Sequence, residues 1–120
     1  MKLIYIAHPL SGDGSPEWGD RDKNLERALR FVAMATNEGH AVISWVHHVL
    51  TNQRGWTPHG DDMFYLTRDK RLMEAAEELW VCGPPEFSSG TRFEIECAAE
   101  FGIPVIQKPE WMDLHFNPLA

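Results

Sequence analysis

The sequence has few cysteines, few basic residues and no long apolar run. Its two cysteines, Cys82 and Cys97, form no C-x-x-C pair, which favours reduced thiols in a cytoplasmic protein over a disulfide framework. No segment approaches the ~18 apolar residues of a membrane-spanning helix, and the first apolar run is too short for a signal peptide. These absences predict a cytoplasmic protein that does not cross a membrane.

Basic residues are also outnumbered, because 11 lysines and arginines stand against 18 aspartates and glutamates, for a net charge of −7. A field of this sign repels nucleic acid and anionic membranes, so neither is expected as a partner. A small anion remains compatible with it, since backbone N–H groups can bind one locally. The length of 120 residues and the 43% hydrophobic content fit a single globular domain over residues 1–120.

Apolar runs alternate with helical periodicity along the chain. Buried strands are predicted at 2–7, 41–46, 79–82 and 103–106. Helices are predicted at about 20–39, 61–77 and 88–102, whereas 47–60 is predicted to be an irregular loop. The β-α-β-α-β-α-β order predicts a three-layer α/β sandwich, similar to Rossmann and flavodoxin folds, around a parallel sheet of four or five strands in the order 2-1-3-4.

The loops at the carboxyl ends of the strands are where such sheets bind ligands. In the loop 8–19, Gly12 either lets the backbone approach a sugar or phosphate or simply forms a surface turn. The dinucleotide motif G-x-G-x-x-G is not met, because Glu17 stands where its third glycine belongs, and the chain has no P-loop lysine motif. No cofactor is expected.

Histidines cluster at His47, His48 and His59. If His47 and His48 are neighbours on a strand, they point to opposite faces and cannot bind one ion without a bend. No cysteine or glutamate stands nearby at ligand spacing. We therefore predict no metal site and expect these histidines either to contact substrate or to lie solvated in a loop.

The most informative segment is 88–96, SSGTRFEIE, which opens a helix at the ligand-binding edge. Free N–H groups and the positive end of the helix dipole favour anions and hydroxyls there, and Gly90 permits close approach. Glu94 lies about one turn into the helix, where the dipole favours its ionised, nucleophilic form. Glu96 lies roughly 200° further round and cannot face the same ligand. The alternative is that both are ordinary glutamates.

Three blocks of the sequence resemble the nucleoside 2-deoxyribosyltransferase superfamily, which includes 2′-deoxynucleoside 5′-monophosphate N-glycosidases. The first is IYIA at 4–7 with the loop after it, the second is RDKRL at 68–72 leading into ELWV at 78–81, and the third is 88–98. Together they span most of residues 2–107, and the third block is the most specific. The chain is most similar to a small phage and bacterial branch that combines E-L-W-V-x-G with S-x-G-x-x-x-E-I-E.

The resemblance implies cleavage or transfer at the N-glycosidic bond of a 2-deoxynucleoside or its 5′-monophosphate. It makes Glu94 the nucleophile that attacks C1′ and forms a glycosyl-enzyme. Asp69 would orient Glu94 or protonate the leaving base, and Tyr5 would hydrogen-bond the carboxylate. Trp45 and His47 fall where the family binds the nucleobase. The alternative for Asp69 is a solvated position on a helix. The alternative for Tyr5 and Trp45 is a place in the hydrophobic core.

The residue six positions before the nucleophile bears on the substrate. By the resemblance, transferases commonly place an aspartate there for the sugar 5′-hydroxyl, and monophosphate hydrolases place a serine for phosphate. Ser88 in this position implies a nucleotide and hydrolysis, while Arg92 either supplies charge to the phosphate or covers the helix surface. The expected substrate-binding residues are His8, Ser11, Gly12, Trp45, His47, Ser88, Ser89 and Gly90.

The resemblance also implies a homo-oligomer, since family members assemble as dimers or larger and a neighbour often completes the site. The tail 111–120 has the apolar content for such a contact. A second hypothesis belongs to another class of protein, in which the same pocket binds a nucleotide-like ligand without turnover.

Overall fold

The computed structural model describes residues 1–12, 15–58 and 60–108. This part of the chain contains the strands β1 (Leu3–Ala7), β2 (Ala41–Ile43), β3 (Glu78–Cys82) and β4 (Val105–Lys108). Its α-helices are α1 (Arg21–Asn37), α2 (Val46–Gln53), α3 (Asp62–Met73) and α4 (Ser89–Phe101), and a short 3-10 turn at Pro85–Phe87 precedes α4. The predicted tail contact at 111–120 and His59 lie outside the described residues.

The strands form one parallel sheet in the order β2-β1-β3-β4. β1 lies between β2 and β3, and Tyr5 is in register with Ile43 on one side and Leu79 on the other. Strands buried on both faces are apolar throughout, which explains the unbroken run of β1. The predicted α/β fold and its strand order are confirmed.

Alternating side chains divide the core between the two faces of the sheet. One face carries Tyr5 and Val81, which pack in a cluster with residues of α3 and α4. The other face carries Ile6 and Trp80, which pack against Phe31 of α1. Helices on both faces complete three layers, and Tyr5 consequently lies on the side of α4, the helix that carries Glu94.

The prediction of a strand over 41–46 followed by a loop over 47–60 is wrong in part. β2 ends at Ile43, and Val46–Gln53 form α2. The Val46 N–H donates to Ser44 Oγ at 3.2 Å, so the chain turns from strand into helix within two residues. Val46 and Leu50 are four apart and both at least half-buried, a helical spacing that the histidines and the later Gly and Pro obscure in the sequence.

Two predicted boundaries also move. α3 ends at Met73 rather than near Glu77, because the backbone N–H of Glu77 already donates to the Leu3 carbonyl at the sheet, at 2.8 Å. β4 begins at Val105 rather than 103. Cys82 and Cys97 are free, buried thiols, as predicted. Among the described helices, none is both long and apolar enough to span a membrane.

Candidate active site

A cavity of about 380 Å³ lies at the carboxyl ends of β1, β2 and β3. Its walls come from the loops after these three strands, from α2 and α3 and from the first two turns of α4. Its volume is in the range of small-molecule sites. Nine of the predicted site residues line it: His8, Ser11, Gly12, Trp45, Asp69, Ser88, Ser89, Gly90 and Glu94. The cavity therefore occupies the sheet edge at which the sequence places the binding loops.

Glu94 is a buried carboxylate in the wall of this cavity, with only 4% of its surface exposed. Its helix begins where Ser88 Oγ accepts the Thr91 N–H at 3.1 Å, which places Glu94 in the second turn. Glu94 Oε2 has no hydrogen-bond partner among the described residues. A buried carboxylate oxygen without a partner is costly, so this atom is suited to meet a ligand. Glu96 is exposed, as its helical spacing predicts.

Tyr5 and Asp69 meet Glu94 from two other elements. Tyr5 stands on β1 and is 1% exposed, and its side chain hydrogen-bonds with both Glu94 and Asp69. Asp69 is partly buried on α3. The fold thus brings the three predicted catalytic residues together from one strand and two helices.

The environment of the two carboxylates disfavours their ionisation. Burial, and next the charge of Asp69, raise the pKa of Glu94 to about 8, while the Tyr5 hydrogen bond and the Arg68 cation oppose the rise. Burial also raises the pKa of Asp69, against its hydrogen bond with Arg68. The expectation that the helix dipole keeps Glu94 ionised is wrong, because loss of water outweighs the dipole. A pKa of about 8 leaves Glu94 mostly protonated at neutral pH.

Arg68 is the most important lining residue that the sequence reasoning did not place in the site. Its Nε and Nη2 donate to Asp69 Oδ1 at 3.0 and 2.7 Å, and its guanidinium lies over the Tyr65 ring at 5.1 Å. Its Nη1 is buried without a partner in the described chain. In the sequence Arg68 is one of three basic residues between positions 68 and 71. Only the packing of α3 in the folded structure shows that Arg68 lines the cavity.

The helical form of α2 separates the two adjacent histidines. His47 is exposed and does not line the cavity, whereas His48 does, so the structure does not bring His47 together with the other predicted binding residues. The two histidines do not point to opposite faces of a strand, because both lie on a helix with ring centroids 4.0 Å apart. Burial, Arg68 and His47 lower the pKa of His48 to about 4, so its imidazole is neutral at pH 7.

The first loop is held in shape by its own contacts. Asn24, fully buried on α1, donates from Nδ2 to the carbonyls of Leu10 and Trp18, both at 2.7 Å. Gly12 has φ +69°, and a Cβ there would lie 1.8 Å from the Trp18 carbonyl oxygen. The turn itself therefore requires Gly12. Trp45 donates from Nε1 to the His8 carbonyl at 3.1 Å, which ties the start of α2 to this loop.

Replacing Gly12 with alanine is expected to destabilise the protein by more than about 2 kcal/mol, because the added Cβ meets backbone in addition to the strained φ. Gly102→Ala is the matched control, since Gly102 also has φ +69° but nothing lies within 4 Å of the added carbon. Thermal denaturation of both variants checks this. Equal losses of stability in the two would show that close approach to Trp18 contributes nothing.

The start of α4 resolves one open alternative. Arg92 Nη1 donates to the carbonyls of Pro85 and Glu86 at 3.0 and 2.8 Å, so this side chain covers the surface of the 3-10 turn. Arg21, at the first position of α1, lines the cavity instead. The cavity residues that sequence reasoning did not assign are Leu10, Arg21, His48, Val49, Asn52, Gln53, Tyr65, Arg68 and Thr91. Most of these residues lie on α2 and α3. A correct prediction of α2 as a helix would therefore have indicated that several of them line the cavity.

The described residues contain no group of three or more His, Cys, Asp or Glu side chains placed to hold a metal ion. Searches of curated proteins and of solved structures found no match to the chain. A family model described as a domain of unknown function (DUF7768) matches residues 2–108. The matched segment includes Asp69 and Glu94, which line the cavity, and Tyr5, which lies buried beside them on β1. The chain therefore belongs to the DUF7768 family.

Proposed function

We propose that the protein cleaves the N-glycosidic bond of a nucleoside, 2-deoxynucleoside or nucleoside 5′-monophosphate through a glycosyl ester of Glu94, with water or a second base as acceptor. One observation carries the proposal. The buried carboxylate of Glu94, whose Oε2 has no partner in the described part of the chain, lines a cavity of about 380 Å³. Its side chain hydrogen-bonds with Tyr5 beside a second carboxylate, Asp69. Retaining glycosidases use such a pair.

The first step uses the single proton of the pair. Ionised Glu94 Oε2 bonds to C1′, the C1′–N bond breaks, and its electron pair goes to the base nitrogen, which takes the proton from Asp69. The second step reverses these roles. Water bonds to C1′ and gives a proton to Asp69, while the electron pair of the C1′–Oε2 bond returns to Glu94. An incoming base in place of water gives transfer rather than hydrolysis.

Tyr5 and Arg68 support this division of labour between the carboxylates. Burial and the two carboxylates raise the pKa of Tyr5 far above its ordinary value, so the phenol remains a neutral partner for both. Arg68 pairs with Asp69 at 2.7 Å and opposes the accumulation of negative charge when both carboxylates ionise. The proton therefore belongs to the pair as a unit.

A 5′-phosphate would be accommodated at the start of α4. Ser88 accepts the Thr91 N–H, which leaves its own O–H free to donate, and Ser89 and Gly90 line the same wall. Arg21 adds a cation to the cavity, and N-terminal helix dipoles favour phosphate. The proposal includes a cytoplasmic homo-oligomer that acts without a cofactor.

The direct test is release of free base from a panel of nucleosides, 2-deoxynucleosides and their 5′-monophosphates, each with and without an acceptor base. The proposal predicts release from at least one class. Release without acceptor identifies a hydrolase, and release only with acceptor identifies a transferase. Absence of release from every member would contradict the proposal.

The pH profile is expected to follow the shared proton. Activity falls as pH rises through about 8, because a fully ionised pair has no acid for the leaving base.

In Asp69→Asn the repulsion that raises the pKa of Glu94 is gone, so the residual activity rises with pH to a plateau. Tyr5→Phe removes a hydrogen bond that lowers this pKa, and its alkaline limb moves to higher pH. Profiles of kcat/KM for the three proteins check this, and an unchanged alkaline limb in Asp69→Asn would exclude the shared proton.

Binding without turnover is the second candidate function, and the raised pKa of Glu94 favours it. A protonated Glu94 is a hydrogen-bond donor to a ligand and a poor nucleophile. Calorimetry alongside the base-release panel separates the two functions, because a binding protein gives saturable heat with a nucleoside and no free base.

A further inference from the structure

Two buried polar atoms that have no partner in the described part of the chain lie on one face of α4. Thr91 is 1% exposed and Glu94 is 4% exposed, and both line the cavity. Neither Thr91 Oγ1 nor Glu94 Oε2 has a hydrogen-bond partner among the described residues. Residues three apart on a helix are neighbours on its surface. A hydroxyl and a carboxylate oxygen therefore stand together in the cavity wall, each able to meet a ligand.

Over residues 1–12, 15–58 and 60–108, the Thr91 hydroxyl makes no hydrogen bond that supports the fold. The cap at the start of α4 is made by the Thr91 backbone N–H, which donates to Ser88 Oγ at 3.1 Å. Threonine in a helix commonly directs its hydroxyl to a carbonyl of the preceding turn, but within the described chain this hydroxyl makes no hydrogen bond. A buried hydroxyl without a partner destabilises the folded protein, so valine would suit the fold at least as well.

We propose that Thr91 is a specificity-determining residue that hydrogen-bonds a ring hydroxyl of the substrate's sugar. The inference rests on the proposed function, since attack by Glu94 on C1′ places the sugar ring beside this carboxylate. A sugar hydroxyl suits Thr91, because each group can donate to the other. A phosphate does not, because its charge would face Glu94 and Asp69. The 2′- and 3′-hydroxyls share this chemistry, and the experiment separates them.

The test is a cycle between a protein hydroxyl and a substrate hydroxyl. Wild type, Thr91→Val and Thr91→Ser are compared on adenosine, 2′-deoxyadenosine and 3′-deoxyadenosine, and on the same three forms of uridine, by kcat/KM for base release. Thr91→Val should lose about tenfold with substrates that carry the held hydroxyl and little with the one that lacks it. Serine keeps the hydroxyl and should retain most of the activity.

The pattern of loss identifies the position. If Thr91→Val lowers kcat/KM for adenosine but not for 2′-deoxyadenosine, Thr91 binds the 2′-hydroxyl and the enzyme favours ribonucleosides. If it lowers kcat/KM for both but not for 3′-deoxyadenosine, Thr91 binds the 3′-hydroxyl. An equal loss with all forms, or no loss with any, overturns the inference. The thermal midpoint of Thr91→Val should equal or exceed that of wild type, and a clear fall would overturn the inference by showing that the hydroxyl serves the fold.

A binding series distinguishes failure of this inference from failure of the proposed function. The same nucleosides are titrated calorimetrically into Glu94→Gln with and without Thr91→Val. If no base is released but the valine weakens binding of one hydroxyl form selectively, the glycosidic chemistry fails and the role of Thr91 stands. If base is released and the valine shows no selectivity, the reverse holds. Absence of both binding and release for all six nucleosides and for their 5′-monophosphates overturns both.

Discussion

Glu94→Gln is expected to release base at least about 10³-fold more slowly than wild type on any accepted substrate, since loss of a covalent nucleophile removes the pathway rather than one contact. Glutamine keeps the shape and the burial of the side chain but cannot form the glycosyl ester. A small ionised nucleophile such as azide, supplied to Glu94→Ala, should occupy the space of the carboxylate and restore part of the cleavage as a glycosyl azide.

The matched control is Glu96→Gln. Glu96 lies two residues along the same helix and is exposed, so its replacement tests loss of a carboxylate from α4 without touching the cavity. It is expected to retain activity within about twofold of wild type. Full activity of Glu94→Gln, measured by release of free base, would remove Glu94 from the mechanism.

Glu94→Gln is also expected to stabilise the protein, and increasingly so with rising pH. The pKa of Glu94 is 4.5 ordinarily and about 8 in the folded chain. Between these values the folded state holds a proton that the unfolded state has released, so wild-type stability falls as pH rises through this window and levels off above about 8. The slope for one group approaches 1.4 kcal/mol for each pH unit, and glutamine has no such dependence.

Thermal midpoints of wild type and Glu94→Gln between pH 5 and 8.5 measure this difference. The two curves should lie close together near pH 5 and diverge toward pH 8, with Glu96→Gln following wild type. A constant difference across the range would mean that Glu94 does not carry an elevated pKa. Stability lost to a buried carboxylate and recovered in its neutral isostere is a common sign of a functional site.

The fold was accessible from the sequence because its signals are periodic and local. The unbroken apolar run of β1, the helical spacing in α1 and the Gly-Pro-Pro stop after Cys82 each act within a few residues, and right-handed crossovers leave few strand orders to choose from. Asp61 caps α3 by accepting the Phe64 N–H at 2.8 Å, a role that aspartate commonly takes at the start of a helix. α2 was not foreseeable in this way, because its apolar spacing is short and interrupted by histidines.

The sequence predicts which residues form the site, but it does not predict their pKa values. Tyr5, Asp69 and Glu94 follow from sequence blocks, and parallel strands bring their ends to one edge. Burial is the main cause of the raised pKa of Glu94. The burial depends on how α4 packs against the sheet, and no local sequence pattern indicates that packing. Arg68 and Thr91 were not predicted as site residues for the same reason, because only the folded structure shows that they line the cavity.

Trapping the glycosyl-enzyme tests the central claim most directly. A nucleoside with fluorine at C2′ slows both steps, because the electronegative atom disfavours the oxocarbenium-like transition state, and a good leaving base restores the first step alone. Intact-mass spectrometry of wild type with such a substrate should show the mass of one fluoroglycosyl group, mapped by digestion to the peptide that contains Glu94, and no adduct on Glu94→Gln. Release of base by wild type with no adduct, or an adduct on another residue, would contradict the account.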